Sequence, residues 1–256
     1  MSQLDKKHIE QIAQDLPQRD KGFLQRVFGD GLGKYVERLE AVKILGANRV
    51  LDAGCGFGQW AMAMGPHSQE VFGIDISKDR IHTAVSLSKR LNLRNVFFDT
   101  GHIDNLDFPD CYFDAVFSYS AIYYTDVKRT MNELIRVLKP GGRIYICSNA
   151  IGWYIYNIIK RPNPSPDFSP LAYGVRSLVD SFRYHFFKVP PSPGGSIATS
   201  GKYLELLMRA NGIEEINWGP EGSLRLSFDK LTTKSFFRGH YLMFDCCLEW
   251  TGVKAS

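Results

Sequence analysis

The chain has little of what marks a membrane-spanning, disulfide-stapled or nucleic-acid-wrapping protein. No run reaches the ~18 consecutive apolar residues needed to cross a bilayer. Met1 to Asp20 is polar and charged and lacks the apolar core of a signal peptide, so a cytoplasmic location is expected. Charge of one sign is scarce. Lys and Arg number 31 against 27 Asp and Glu, a net +4 over 256 residues, which is not the strong basic footprint of a nucleic-acid binder. Cysteine is sparse, scattered and odd in number: Cys55, Cys111, Cys147, Cys246 and Cys247. Neighbours such as Cys246 and Cys247 point to opposite faces of a strand and are poor partners for each other. With no Cys-x-x-Cys or His-x-x-x-His spacing, no metal site is expected. A reducing compartment suits this cysteine usage. Internal repeats and low-complexity tracts are lacking as well.

What is present is a hydrophobic content of 44%, enough to bury a full core in one large domain or a core with a modest insert. Short apolar runs at Arg49–Ala53, Val71–Asp75, Val96–Asp99, Phe113–Ser118 and Arg143–Cys147 read as strands. Helical stretches lie between them at Gln59–Met64, Lys78–Leu91 and Val127–Leu138. The last carries Met131, Leu134, Ile135 and Leu138 at the three-and-four spacing of one buried helix face. Ser77 and Asp126 stand where N-caps belong. Alternation of this kind predicts a mostly parallel sheet with helices on both faces.

Ahead of this core, Lys6–Gln14, Lys21–Phe28 and Lys34–Leu45 read as helices. Behind it, Ile151–Ser200 breaks the pattern and holds seven of the 12 prolines (162, 164, 166, 170, 190, 191 and 193). A helix at Gly201–Ala210, a strand at Ile213–Trp218 and a last apolar strand from Tyr241 to Trp250 follow.

Four stretches carry the chemistry. The first is Val50-Leu51-Asp52-Ala53-Gly54-Cys55-Gly56-Phe57-Gly58, a strand ending in an acid and a turn of glycines. Glycine there lets backbone and ligand approach closely, and the following helix would aim its first N–H groups at a negative group. The second is Val71-Phe72-Gly73-Ile74-Asp75-Ile76-Ser77, whose carboxylate at a strand end can accept from both hydroxyls of a ribose. The third runs from Thr100-Gly101-His102-Ile103 through Phe108-Pro109-Asp110 to Phe113-Asp114-Ala115-Val116-Phe117-Ser118. The fourth is Arg136-Val137-Leu138-Lys139-Pro140-Gly141-Gly142-Arg143-Ile144.

In that order and spacing the chain resembles the class I (Rossmann-like) S-adenosylmethionine-dependent methyltransferases, especially the small-molecule branch, over roughly Gln25 to Cys147. A dehydrogenase fits worse, because its fingerprint is Gly-x-Gly-x-x-Gly whereas this turn reads Gly-x-Gly-x-Gly with an acid before it. The resemblance implies a seven-stranded, mostly parallel, doubly wound α/β sheet with an N-terminal helical cap and an inserted lid. The expected segments are a cap at 1–46, a cofactor-binding core at 47–150 and 201–256, and a substrate lid at 151–200.

The resemblance also implies roles. The cofactor is S-adenosylmethionine, a sulfonium cation with an amino-acid tail. Gly54 and Gly56 would offer backbone to the methionine moiety, with Cys55 and Gly58 completing the turn. Cys55 serves there as a small residue rather than a nucleophile, since nothing beside it points to a lowered thiol pKa. Asp52 would organise the turn and the amino group, and Asp75 would hold the ribose. Ile76 would pack on adenine, Ile103 would offer its backbone or side chain to the same ring, and Ser118 and Tyr119 would close the methionine end. Position 102 departs from the pattern: the family commonly has an acid there, and this chain has His102, which puts its adenine contact in question.

Methyl transfer is an in-line displacement that positioning and desolvation can largely drive. Where a general base helps, the candidates are Tyr123 and Tyr124 after the fourth strand and His185 in the insert; each is more often a packing or surface residue. In the insert, basic residues (160, 161, 176, 183 and 188) outnumber acids (167 and 180). Aromatic and basic side chains in 151–161 suit a packed lid, a cover over an apolar or acidic acceptor, or a helix lying on a membrane surface. The expected activity is methyl transfer to a small-molecule or lipid-linked acceptor, with oxygen slightly preferred. Two alternatives stand beside it: a catalytically silent binder of the same fold, and an RNA or protein methyltransferase. The near-neutral charge and Ser118-Tyr119-Ser120-Ala121, in place of an Asn/Asp-Pro-Pro-Tyr/Phe signature, count against the latter.

Overall fold

Successive residues of the central strands look to opposite faces of the sheet, and that alternation builds two cores. Val50, Phe117, Tyr145 and Cys147 belong to one buried cluster. Their chain neighbours Leu51, Val116, Ile144 and Ile146 belong to the other. The computed structural model describes residues 6–14, 16–226 and 235–256. Positions 1–5, 15 and 227–234, which fall within the expected cap and core segments, lie outside the described residues.

The sheet has seven strands in the order β3-β2-β1-β4-β5-β9-β6. β1 (Arg49–Ala53), β2 (Glu70–Asp75), β3 (Val96–Thr100), β4 (Phe113–Tyr119) and β5 (Leu138–Asn149) pair in parallel. β9 (Cys247–Lys254) runs antiparallel between β5 and β6 (Ile213–Pro220). The sheet is therefore mostly parallel, as expected.

α1 (Lys6–Ala13), α2 (Gln18–Phe28), α3 (Gly33–Ala41), α4 (Gln59–Met64) and α5 (Lys78–Arg90) contribute to the first core. α6 (Val127–Val137) and α9 (Gly201–Ala210) contribute to the second, so the sheet is covered on both faces. The caps fall where the sequence put them. Ser77 accepts from the Arg80 N–H, and Asp126 accepts from the N–H groups of Lys128 and Arg129. The strand order reverses at β1 and β4, and in open α/β sheets the crevice at such a point, beyond the strands' C-terminal ends, receives ligands.

Three local expectations change. The helix from Lys34 ends at Ala41 rather than Leu45, because Lys43 takes a left-handed φ of 56° and the Ile44 N–H turns back to the Leu39 carbonyl. The last strand does not run from Tyr241 to Trp250. Leu242, at φ 54°, folds a short hairpin of β7 (His240–Tyr241) and β8 (Phe244–Asp245), and β9 starts at Cys247. The fifth strand starts at Leu138 rather than Arg143: Leu138 already pairs with Phe113, and the Pro-Gly-Gly turn is carried as an irregularity in that ladder.

Two further helices, α7 (Ile151–Lys160) and α8 (Pro170–Phe187), fill most of 151–200. They cross at Gly174, where a Cβ would meet Ile158 and the Tyr154 carbonyl at 2.7 and 2.8 Å. The Tyr184 hydroxyl fastens α8 to the start of α6, donating to Asp126 and accepting from the Lys128 N–H, both at 2.9 Å. On the opposite side, Arg38 of α3 is 1% exposed and pairs with Glu249 of β9 at 2.9 Å and with Glu221 at 2.8 Å.

Candidate active site

The glycine turn sits beyond the C-terminal end of β1, and its three glycines do different work. All have positive φ (77°, 57° and 78° at 54, 56 and 58), the region that favours glycine. A Cβ on Gly54 would stand 2.1 Å from that of Ala121, and one on Gly58 2.4 Å from the Phe98 ring. Those two glycines let parts of the protein meet. A Cβ on Gly56 would find only the Phe23 ring edge, at 3.8 Å, so its bare face looks into open space roofed by α2.

Four N–H groups of the turn are engaged within the protein. The N–H groups of Gly54 and Cys55 donate to the Ile74 carbonyl at 2.7 and 3.0 Å, and that of Gly58 to the Cys55 carbonyl at 2.9 Å. The Gly56 N–H donates to Asp75 at 2.9 Å. With these donors already engaged, the turn can offer carbonyl oxygens, which suit an ammonium rather than a phosphate.

Asp52 supplies the complementary charge. It is 1% exposed; one carboxylate oxygen accepts from the Ala61 N–H at 3.1 Å, while the other is buried and has no partner among the described residues. Burial, little offset by the Ala61 bond and reinforced by Asp75, pushes its pKa up to about 8. A buried, half-satisfied carboxylate is costly. The α-ammonium of an amino-acid tail would satisfy it and restore its charge. S-adenosylmethionine fits these residues on that ground.

Asp75 ends β2 with one oxygen on the Gly56 N–H and the other on the Ser77 N–H, both at 2.9 Å. Its carboxylate thus orients the turn and keeps lone pairs for further donors. Ile76 beside it is 64% exposed. Ile103 packs into the second core, which leaves its backbone rather than its side chain for a ring. His102 is exposed, and its carbonyl accepts from the Asn105 N–H at 3.1 Å. A cleft of about 370 Å³ opens beside β3, lined by Phe98, Thr100, Gly101, His102 and Phe108 among others; neither Asp52 nor Asp75 lines it.

At the end of β4 two hydroxyls are engaged within the protein. The Ser118 hydroxyl is fully buried and donates to the Ala53 carbonyl at 2.8 Å, bracing β4 against β1. The Tyr119 hydroxyl donates to Glu221 at 2.8 Å, and burial raises its pKa steeply. Ser120 was not anticipated. It adopts φ 60°, and its buried hydroxyl has no partner among the described residues. No sequence signal marks a serine for that conformation. Cys55 is buried with its thiol pKa pushed up by burial, consistent with a space-filling role.

The three candidate bases do not share one place. Tyr123 is buried, and its phenol is held protonated by desolvation, so it is a donor rather than a base. Tyr124 is 45% exposed, 4.5 Å from the Tyr123 ring. It adjoins Tyr154 of α7 and Tyr173 of α8, whose hydroxyls meet Ser196 at 3.1 and 3.0 Å. His185 faces elsewhere: its Nε2 meets the Ala198 carbonyl at 3.0 Å and its ring stands edge-on to Tyr203 of α9. Among the described residues, no cluster of His, Cys, Asp and Glu could hold a metal ion.

A family model for a methyltransferase domain matches residues 50–142. The chain is 35% identical over 125 residues to the uncharacterized methyltransferase YcgJ of Bacillus subtilis, an alignment covering 48% of each chain. It is 29% identical over 186 residues to the O-methyltransferase rstn1 of Aspergillus nomiae, covering 71% of this chain and 70% of that one. The alignments to YcgJ and to other bacterial relatives span about half the length of those proteins. Geranyl diphosphate methyltransferase, solved in complex with S-adenosylmethionine, superposes with a TM-score of 0.58 at 15% identity, over 98% of this chain and 92% of that one. That likeness concerns the fold. With the strand order, the acid-and-glycine turn and the matched segment in agreement, residues 50–142 form a methyltransferase domain with the class I, Rossmann-like fold.

Proposed function

We propose that this protein transfers a methyl group from S-adenosylmethionine to an uncharged small-molecule or lipid-linked acceptor, with oxygen as the favoured atom. The observation that carries the reading is the buried, unpartnered oxygen of Asp52 beside the open face of Gly56. Asp52 and the turn carbonyls hold the amino end, Asp75 accepts from the ribose, and Ile76 with the Ile103 backbone flanks the adenine. When bound, the cofactor supplies an electrophilic methyl group on a sulfonium. The chain's own contribution is to fix the acceptor in line and exclude water.

On this reading the acceptor side lies at Tyr124, where it meets the hydroxyl cluster of Tyr154, Tyr173 and Ser196 from the lid segment 151–200. These hydroxyls are neutral donors and acceptors, which suit a hydroxyl-bearing acceptor. The O-methyltransferase name of the Aspergillus relative supports the same choice. Residues 1–46 act as the cap, and 47–150 with 201–256 as the core.

Calorimetry with S-adenosylmethionine tests the first half. Absence of binding would remove the proposal. Labelled methyl transfer into metabolite and lipid extracts tests the second half: product in the organic or small-molecule fraction supports the reading. Product only in RNA or protein, or cofactor binding with no transfer at all, would overturn it.

A further inference from the structure

α8 packs one face of small and polar residues on the protein and leaves a separate apolar stripe exposed. Gly174, Ser177, Ser181 and Tyr184 are buried against α7, Ser196 and α6. Leu171, Val175, Val179, Phe182 and Phe186 recur at spacings of four and three, which places them on one stripe. They are 37–71% exposed, and the Phe182 and Phe186 rings lie 4.7 Å apart. An exposed apolar stripe of this extent marks an interaction surface.

Charge identifies the occupant. Lys160, Arg161, Arg176, Arg183 and Lys188 are all exposed around α8 and the end of α7. Arg176 and Arg183, seven residues apart, share one flank of the stripe. Of the two acids in this segment, Asp180 is 2% exposed, accepts from the Ser192 backbone and side chain, and lies 3.6 Å from the Arg183 guanidinium. Asp167 lies on the preceding loop and is held by Ser165 and the Arg19 backbone. A second copy docked on this stripe would set basic rim against basic rim, with no exposed acid on the helix to pair it. An anionic lipid surface pairs the rim and buries the stripe together. No helix among the described residues is long and apolar enough to cross a membrane, so α8 would lie along the surface.

We propose that the outer face of α8 docks the protein on anionic phospholipid membranes. The inner face of the same helix carries Tyr173 of the hydroxyl cluster, so docking would set the acceptor side next to the bilayer. The docking rests on the exposed face alone. Vesicle binding can therefore fail while methyl transfer survives, and transfer can fail while vesicle binding survives.

The test is co-sedimentation of the whole protein with phosphatidylcholine vesicles carrying about one-third phosphatidylglycerol, against phosphatidylcholine alone. The wild type should pellet with the anionic vesicles and be released by high salt. A Phe182→Glu/Phe186→Glu variant and a Lys160→Gln/Arg161→Gln/Arg176→Gln variant should each lose about tenfold or more in partitioning, with circular dichroism unchanged. If the phenylalanine variant misfolds, Val179→Glu serves in its place. The proposal is overturned if the wild type stays in the supernatant, if both vesicle types bind it equally, or if the phenylalanine variant binds like the wild type. A dimer in sedimentation velocity that this variant dissociates, without vesicle binding, would give the face to a second copy instead.

Discussion

Two buried acids lie on the same sheet and have opposite fates. Glu249 on β9 is fully enclosed, and each of its oxygens is engaged: one by Arg38 at 2.9 Å and Tyr145 at 2.6 Å, the other by the Leu224 N–H at 2.7 Å. Asp52 at the end of β1 is as deeply buried, with one oxygen unpartnered. Burial raises both pKa values. Glu249 has a fixed guanidinium to oppose the rise, whereas Asp52 has one N–H. A buried carboxylate with its cation built in is a structural joint, and one without is a binding site awaiting a cation.

The largest effect should come from breaking the joint. Arg38→Met leaves Glu249 and Glu221 facing each other without a cation, and should cost about 3–5 kcal/mol in urea unfolding. A loss under 1 kcal/mol would mean that the network is not the joint described. Next comes Asp75→Ala, which removes the acceptor of the Gly56 and Ser77 N–H groups. It should weaken S-adenosylmethionine binding by about 1.5–3 kcal/mol; unchanged affinity would show that the ribose assignment is wrong.

The glycines separate packing from binding. Gly54→Ala drives a methyl into Ala121 and should lower the melting temperature more than Gly56→Ala. The latter bears only the left-handed backbone strain, about 1–2 kcal/mol, yet should lose more cofactor affinity. Equal effects on both readouts would undo the distinction between the two positions.

The smallest effect is the most specific to the comparison. Asp52 is raised from 3.8 to about 8 in the folded protein. Its contribution to stability is therefore complete below the unfolded pKa and is lost as pH rises through about 8. Ligand-free protein should lose stability between about pH 4 and 8 and level off above that, and Asp52→Asn should flatten that slope. Binding of the cofactor at pH 7 should release a proton, measured by calorimetry in buffers of different ionisation enthalpy. A proton count unchanged in Asp52→Asn would sink the ammonium assignment.

The parallel half of the fold was legible because its signals are local. A strand, a turn and a cap each depend on a few adjacent residues, and Ser77 and Asp126 cap helices where their spacing indicates. The C-terminal hairpin was not legible, because a leucine at position 242 carries no mark of a left-handed turn. Asp52 and Asp75 were legible as an acid before glycines and an acid at a strand end. The bond of the Ser118 hydroxyl to the Ala53 carbonyl was not legible, since it depends on a strand 65 residues away.

By itself the sequence determined the doubly wound sheet and the acid-glycine turn at the end of its first strand, since alternating strands and helices and such a turn are patterns of near neighbours. Tertiary structure alone decided which glycine faces open space, which donors are already engaged, which buried carboxylate lacks a partner and which face of α8 is left uncovered. Those properties are differences between satisfied and unsatisfied groups. Satisfaction depends on residues brought together from distant parts of the chain.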